Sequence, residues 1–144
     1  MKLNEENLKM ENLKYVENAK ELLKKCPKEE KWYSDEKYVK SAFGILYLGI
    51  LKSIDDFLIQ KGVSKKNLPK SIDEYIKYFK KYLLPYNGKL MKEFLILYDQ
   101  IHIAGYYRGL IHDIKIVNQL IERAKEFIIK IEKLRKGGEK DEKK

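Results

Sequence analysis

The chain has 144 residues, a formal charge of +9 and one cysteine, Cys26. That length suits a single core, and a lone cysteine excludes an internal disulfide framework. No stretch reaches the roughly 20 apolar residues of a membrane-spanning helix and no secretory leader opens the sequence, so the expectation is a soluble, cytoplasmic protein with no membrane partner.

The first helix is predicted from about Glu5 to Lys25, since Leu13, Val16, Ala19, Leu22, Leu23 and Cys26 recur at three- and four-residue spacings before Pro27. The second begins near Ser34 or Asp35, either able to cap it, and runs to a stop at Gly62. Its middle, Ala42 to Ile50, is apolar nearly all round, which marks it as the central helix. Ala42, Gly49 and Ser53 are small enough to admit a neighbouring helix closely. A connector over 62–70 leads to Ser71-Ile72-Asp73-Glu74, a capping box that starts a third helix ending at Pro85.

A fourth helix begins near Lys89 and carries Leu90, Phe94, Leu97, Ile101 and Ala104 on one face. Gly105 and Gly109 then read as an interruption that sets Tyr106, Tyr107 and Arg108 at a bend. Asp113 caps a fifth helix that extends to about Lys136. No alternating strand of useful length appears. The expected architecture is all-α: an up-and-down antiparallel bundle of about five helices over 1–136, followed by a disordered charged tail, 137–144. Its centre is assigned to Tyr38, Ala42, Leu46, Gly49, Ile76, Phe79, Phe94, Leu97, Ile101, Leu120, Ala124 and Ile128.

The positive charge is local. Residues 1–60 carry 11 lysines against 11 acids, whereas residues 61–92 carry 9 lysines against Asp73 and Glu74. Such a concentration attracts nucleic acid or an acidic protein partner, and Lys65, Lys66, Lys70, Lys77, Lys80 and Lys81 are the expected phosphate contacts in weak, salt-dependent binding. Tyr78 and Tyr82 alternate with these lysines and are the candidate platforms for base stacking. The excess of lysine over arginine, with abundant glutamate, equally fits the surface bias of heat-adapted proteins.

Tyr98 to Asp113 holds both histidines of the chain, with Arg108, three tyrosines and two glycines. Asp99, His102, Tyr106 and Tyr107 form a candidate polar cluster. Asp99-x-x-His102 supplies half of a di-iron pattern whose other half is missing, so neither a metal nor another cofactor is expected. Arg108 and His112 are the candidate catalytic pair, because arginine can hold a phosphate while histidine moves a proton. The structural alternative has Arg108 paired with an acid and His112 flanking the cap of the fifth helix.

Arg108 to His112 resembles the R-x(4-6)-H motif at the start of a late helix in ribonucleases of the HEPN superfamily of helical bundles, with three intervening residues here. A wider resemblance runs from Tyr15 to about Ile131. Tyr38-Val39-Lys40-Ser41-Ala42-Phe43-Gly44-Ile45-Leu46-Tyr47-Leu48-Gly49-Ile50-Leu51-Lys52-Ser53-Ile54-Asp55, Ser71-Ile72-Asp73-Glu74-Tyr75 and His102-Ile103-Ala104-Gly105-Tyr106-Tyr107 are similar to a family of small bacterial helical proteins of unknown function, considered HEPN-like. The favoured reading is a non-enzymatic binding or interaction module that forms a homo-oligomer, with a dimer first. The alternative is a metal-independent HEPN-type ribonuclease or RNA-binding protein using Arg108 and His112.

Overall fold

A computed structural model describes residues 10–143 of the chain, with side chains as far as residue 135. The expected tail, 137–144, lies outside the residues described in full. A 3-10 turn, Glu11–Leu13, leads into α1, Lys14–Lys24. The central helix α2 spans Glu36–Gln60. Helix α3, Ile72–Tyr78, widens into a π-helix over Phe79–Leu83. Helix α4, Lys89–Leu97, widens in the same way over Tyr98–Tyr107, and α5 covers Ile114–Lys143. The protein is an all-α bundle, with five helices among the described residues, as the periodicity predicts.

The capping residues act where the sequence puts them. Asp35 accepts from the Lys37 amide at 3.1 Å, Ser71 from the Glu74 amide at 3.2 Å and Asp113 from the Ile116 amide at 3.0 Å. Each satisfies a donor that the first helical turn leaves free. Glu74 completes its box one residue upstream, accepting from the Lys70 amide at 3.0 Å. Gly62 takes φ +102 just beyond α2, a conformation that favours glycine.

Helix α2 is the axis of the bundle. It buries Ala42, Phe43, Leu46, Ile50, Ile54, Phe57 and Leu58, while α1, α5 and the π segment of α4 pack around it. Of the residues assigned to the centre, Tyr38 and Ile76 are only half-buried. Tyr38 stands in the first turns of α2, where the Lys37 ammonium approaches its ring. Ile76 is displaced because Tyr75 and Phe79, four residues apart, form the inner stripe of α3. The other assigned residues are buried.

Gly49 explains the close approach of α1, since a Cβ there would stand 2.6 Å from Tyr15 Cβ. Gly105 corrects an expectation. It does not stop α4 but lies buried within the π segment, where a Cβ would stand 2.5 Å from Phe43 Cδ2. The chain turns further on, at Gly109, with φ +62.

Two features are not anticipated from the sequence. Lys28–Glu29 pairs antiparallel with Trp32–Tyr33, and this hairpin is clasped to the stretch before α5. Tyr33 N donates to His112 O and Ile114 N donates to Lys31 O, both at 2.9 Å. Two-residue strands are too short to leave a period-2 pattern. The second feature is a polar network inside the bundle: buried Asn12 donates to Asp56 at 2.8 Å and to Glu132 at 3.4 Å, while Arg135 lies 3.1 Å from Glu132 and 3.8 Å from Asp56. It joins the N-terminal turn, α2 and α5 through charges that need each other once removed from water.

Candidate interaction surface

The inner side of α2 is filled, yet its outer side is also apolar. Leu48 is 57% exposed at the middle of the helix, Ile59 is exposed, and Ile45 and Leu51 flank them half-buried. Tyr106 borders this strip, its ring packed over Gly44, where a Cβ would come within 3.0 Å. Tyr107 is 73% exposed. Lys37, Lys40, Ser41, Tyr106 and Tyr107 line a concavity of about 410 Å³ at the N-terminal end of α2.

The rim is ordered by stacked rings. His102 lies against Tyr47 with centroids 4.3 Å apart and planes 19° apart, and against Tyr106 at 5.9 Å and 10°. Tyr98 closes on His102 at 5.5 Å. Tyr98, His102 and Tyr106 recur every four residues along the π segment, so its turns hold them in one row. Burial lowers the His102 pKa from its ordinary value and, with Tyr98 adding to it, raises that of Tyr47. At the far end of the strip, Tyr75 donates to Asp55 at 2.8 Å, and burial raises the Asp55 pKa above its ordinary value.

A base whose folded pKa is lowered takes its proton more readily in the unfolded chain. The stability it supports is therefore complete above about pH 6.5 and is lost as pH falls through the folded value. His102→Phe keeps the stack and removes the proton. Urea midpoints measured from pH 7.5 down to pH 5 should fall more steeply for the unaltered protein than for His102→Phe. Parallel curves would remove His102 from the pH response.

The structure brings part of the candidate polar cluster together. His102 and Tyr106 stack, but Asp99 is exposed and makes no hydrogen bond or ion pair with another described residue. The wider π turn parts Asp99 from His102, which α-helical spacing would have placed on one face. Among the described residues, no group of three or more histidine, cysteine or acidic side chains is arranged to hold a metal ion.

Arg108 ends the π segment and is exposed, while His112 is half-buried in the non-helical stretch that the hairpin clasps. Both precede α5, which begins at Ile114. The R-x(3)-H residues thus stand in a connector rather than on a helix. His112 flanks the Asp113 cap as the structural reading expects. The ion pair expected for Arg108 is missing: no described acid lies within 4.0 Å of it.

Lys65, Lys66, Lys70, Lys77, Lys80 and Lys81 are all exposed. The tyrosines between them are not free platforms. Tyr78 and Tyr82 are half-buried and meet edge to face at 6.0 Å, and the Tyr78 hydroxyl donates to Asn67 O at 2.8 Å, tying the connector to α3.

These features define a small all-α bundle with an aromatic-rimmed apolar face and a separate basic face. The chain belongs to the family described as a domain of unknown function, DUF5618, whose model matches residues 7–133. It is also similar to a solved structure of a protein of unknown function from Dyadobacter fermentans, at 27% identity and TM-score 0.69, over 90% of this chain and 95% of that one. No curated protein matches it. Neither description mentions HEPN proteins, so the ribonuclease reading rests on Arg108 and His112. No helix among the described residues is long and apolar enough to cross a membrane.

Proposed function

We propose that the protein is a cytoplasmic, non-enzymatic interaction module that forms a homodimer through the outer face of α2. The observation that carries this reading is Leu48, a large apolar side chain 57% exposed on the central helix and bordered by Ile45, Leu51 and Tyr106. Interfaces concentrate such aliphatic and aromatic residues at the centre and place charge at the rim. The occupant best matched to this face is a second copy of the same face. Leu48 stands midway between Glu36 and Gln60, so reversing the helix about it sets Ile45 opposite Leu51 and Ser41 opposite Asp55. The same reversal brings the basic end, Lys37 and Lys40, toward the end of the partner's helix that carries Asp55. That is the self-complementarity a two-fold interface requires.

Leu48→Glu places two carboxylates against each other on the two-fold axis. Sedimentation equilibrium should give a dimer for the unaltered chain and for Ile116→Glu, a change at an exposed site on α5. Leu48→Glu should raise the dissociation constant by about tenfold or more. A monomeric unaltered chain, or a Leu48→Glu dimer of unchanged affinity, would overturn the reading.

The exposed Arg108, which has no ion pair among the described residues, favours a second reading, HEPN-type ribonuclease action with His112. Chelator-resistant RNA cleavage that is lost in both Arg108→Ala and His112→Ala, with each variant still folded, would replace the first reading.

A further inference from the structure

Two sets of lysines in this molecule differ in their surroundings. Lys20, Lys24, Lys37, Lys40, Lys52 and Lys130 each lie within 4.0 Å of a carboxylate. Lys65, Lys66, Lys70, Lys77, Lys80 and Lys81 are exposed and have no such partner among the described residues. They stand on neighbouring structure: the 3-10 turn Lys65–Asn67, the approach to the Ser71 cap, and the outer side of α3 with its π extension. Nearby, Glu74 is held by the Lys70 amide, and Asp73 is the other acid of residues 61–92. A uniform lysine bias would not concentrate +7 of the chain's +9 in residues 61–92.

We propose that these six lysines form a sequence-independent docking surface for the phosphate backbone of a duplex nucleic acid. The choice of partner follows from what accompanies the charge. A folded acidic protein would need an apolar centre to its contact, and lysine is depleted from such centres. Here the outer side of α3 presents lysines, while Tyr75, Phe79 and Leu83 are buried and Ile72 and Ile76 half-buried. A single strand would be held by stacking as well as by charge, but Tyr78 and Tyr82 are engaged with each other and with Asn67. Lys81 rests over the Tyr82 ring at 5.2 Å, which takes up that ring further. Charge alone remains, and a duplex offers the denser line of phosphates. Lysine, a compact charge on a flexible stem, suits contact with phosphates in any register.

None of the six lysines belongs to the proposed dimer face around Leu48, and each proposal is tested with variants that leave the other's residues unchanged, so the two fail independently. Fluorescence anisotropy with a labelled 24-base-pair duplex, and with one of its strands alone, tests the idea on the full chain. Six phosphate contacts imply an affinity loss of about 1000-fold between 50 and 200 mM salt. Substituting Lys77, Lys80 and Lys81 together with glutamine should flatten the slope of log affinity against log salt by about 2.7. Circular dichroism would show that this exposed triple substitution leaves the fold intact. Tighter binding of the duplex than of the single strand, with little dependence on base sequence, is expected. No duplex binding at 50 mM salt, an unchanged triple variant, or binding only to vesicles of equal phosphatidylserine and phosphatidylcholine would each overturn the proposal.

Discussion

Phe94→Ala should lower the free energy of unfolding by about 3–5 kcal/mol. The ring is fully buried on α4 and joins three other aromatics: Phe79 stacked at 5.1 Å, Tyr75 at 5.9 Å and Phe127 at 6.3 Å. These come from α3, its π extension and α5, so the cavity would open where three helices meet. Relaxation is limited because every neighbour is itself packed, and the cost includes both lost transfer energy and unfilled space. Phe94→Leu refills much of the volume and should cost clearly less. Urea denaturation of the pair provides the measurement, and equal losses would mean that ring stacking, rather than volume, carries the site.

Gly105→Ala should destabilise the fold by about 1–3 kcal/mol even though alanine is the better helix former. Propensity favours alanine by up to about 1 kcal/mol. Against that, the new methyl would meet Phe43 at 2.5 Å, and Phe43 is fully buried in the N-terminal half of α2. A ring so enclosed has no free space to move into, so overpacking outweighs propensity. Gly88→Ala is the matched comparison, since its added carbon meets nothing nearer than Leu84 at 3.9 Å. A Gly105→Ala variant at least as stable as the unaltered protein would show that Phe43 yields.

The same glycine shows where sequence reading succeeds and where it stops. Caps are local chemistry, so Asp35, Ser71 and Asp113 could be assigned from the residues beside them. The apolar spacing likewise locates most of the buried residues of α2 and α5, though not the exposed Leu48 and Ile116. Gly105, by contrast, looks like a helix breaker when only propensity is considered, and its actual role depends on a ring some sixty positions earlier in the chain. The π geometry of Tyr98–Tyr107 is hidden for the same reason: apolar spacing distinguishes helix from strand, not one helical turn from a wider one.

The candidate site was legible in composition more than in arrangement. His102 and Tyr106 were singled out and do meet, yet Tyr47 supplies the nearest ring to His102, from another helix. Leu48 passed as one apolar residue in an apolar stretch, and only the completed bundle leaves it outside. The lysines of the basic face were visible as a charge count, whereas the withdrawal of Tyr78 and Tyr82 depends on how the connector folds back. One signal was available and missed. Glu132 stands four residues after Ile128, on the buried stripe of α5, where a charged side chain calls for an internal partner such as Arg135 or Asn12.

The clasp between the hairpin and the stretch before α5 bears on the order of folding. Tyr33 and His112 are distant in sequence, and closing so long a loop costs entropy that local hydrogen bonds do not recover alone. A two-stranded ribbon this short has little independent stability. The hairpin therefore acquires its geometry only after α2 and α5 have docked, and it opens as soon as either end leaves. His112 stands in a stretch held from the beginning of the chain, whereas Arg108 and Leu110 are bonded back to Ile103 and Ala104, so a nick near Glu30 would loosen residues 112–114 while leaving Arg108 and the aromatic core in register.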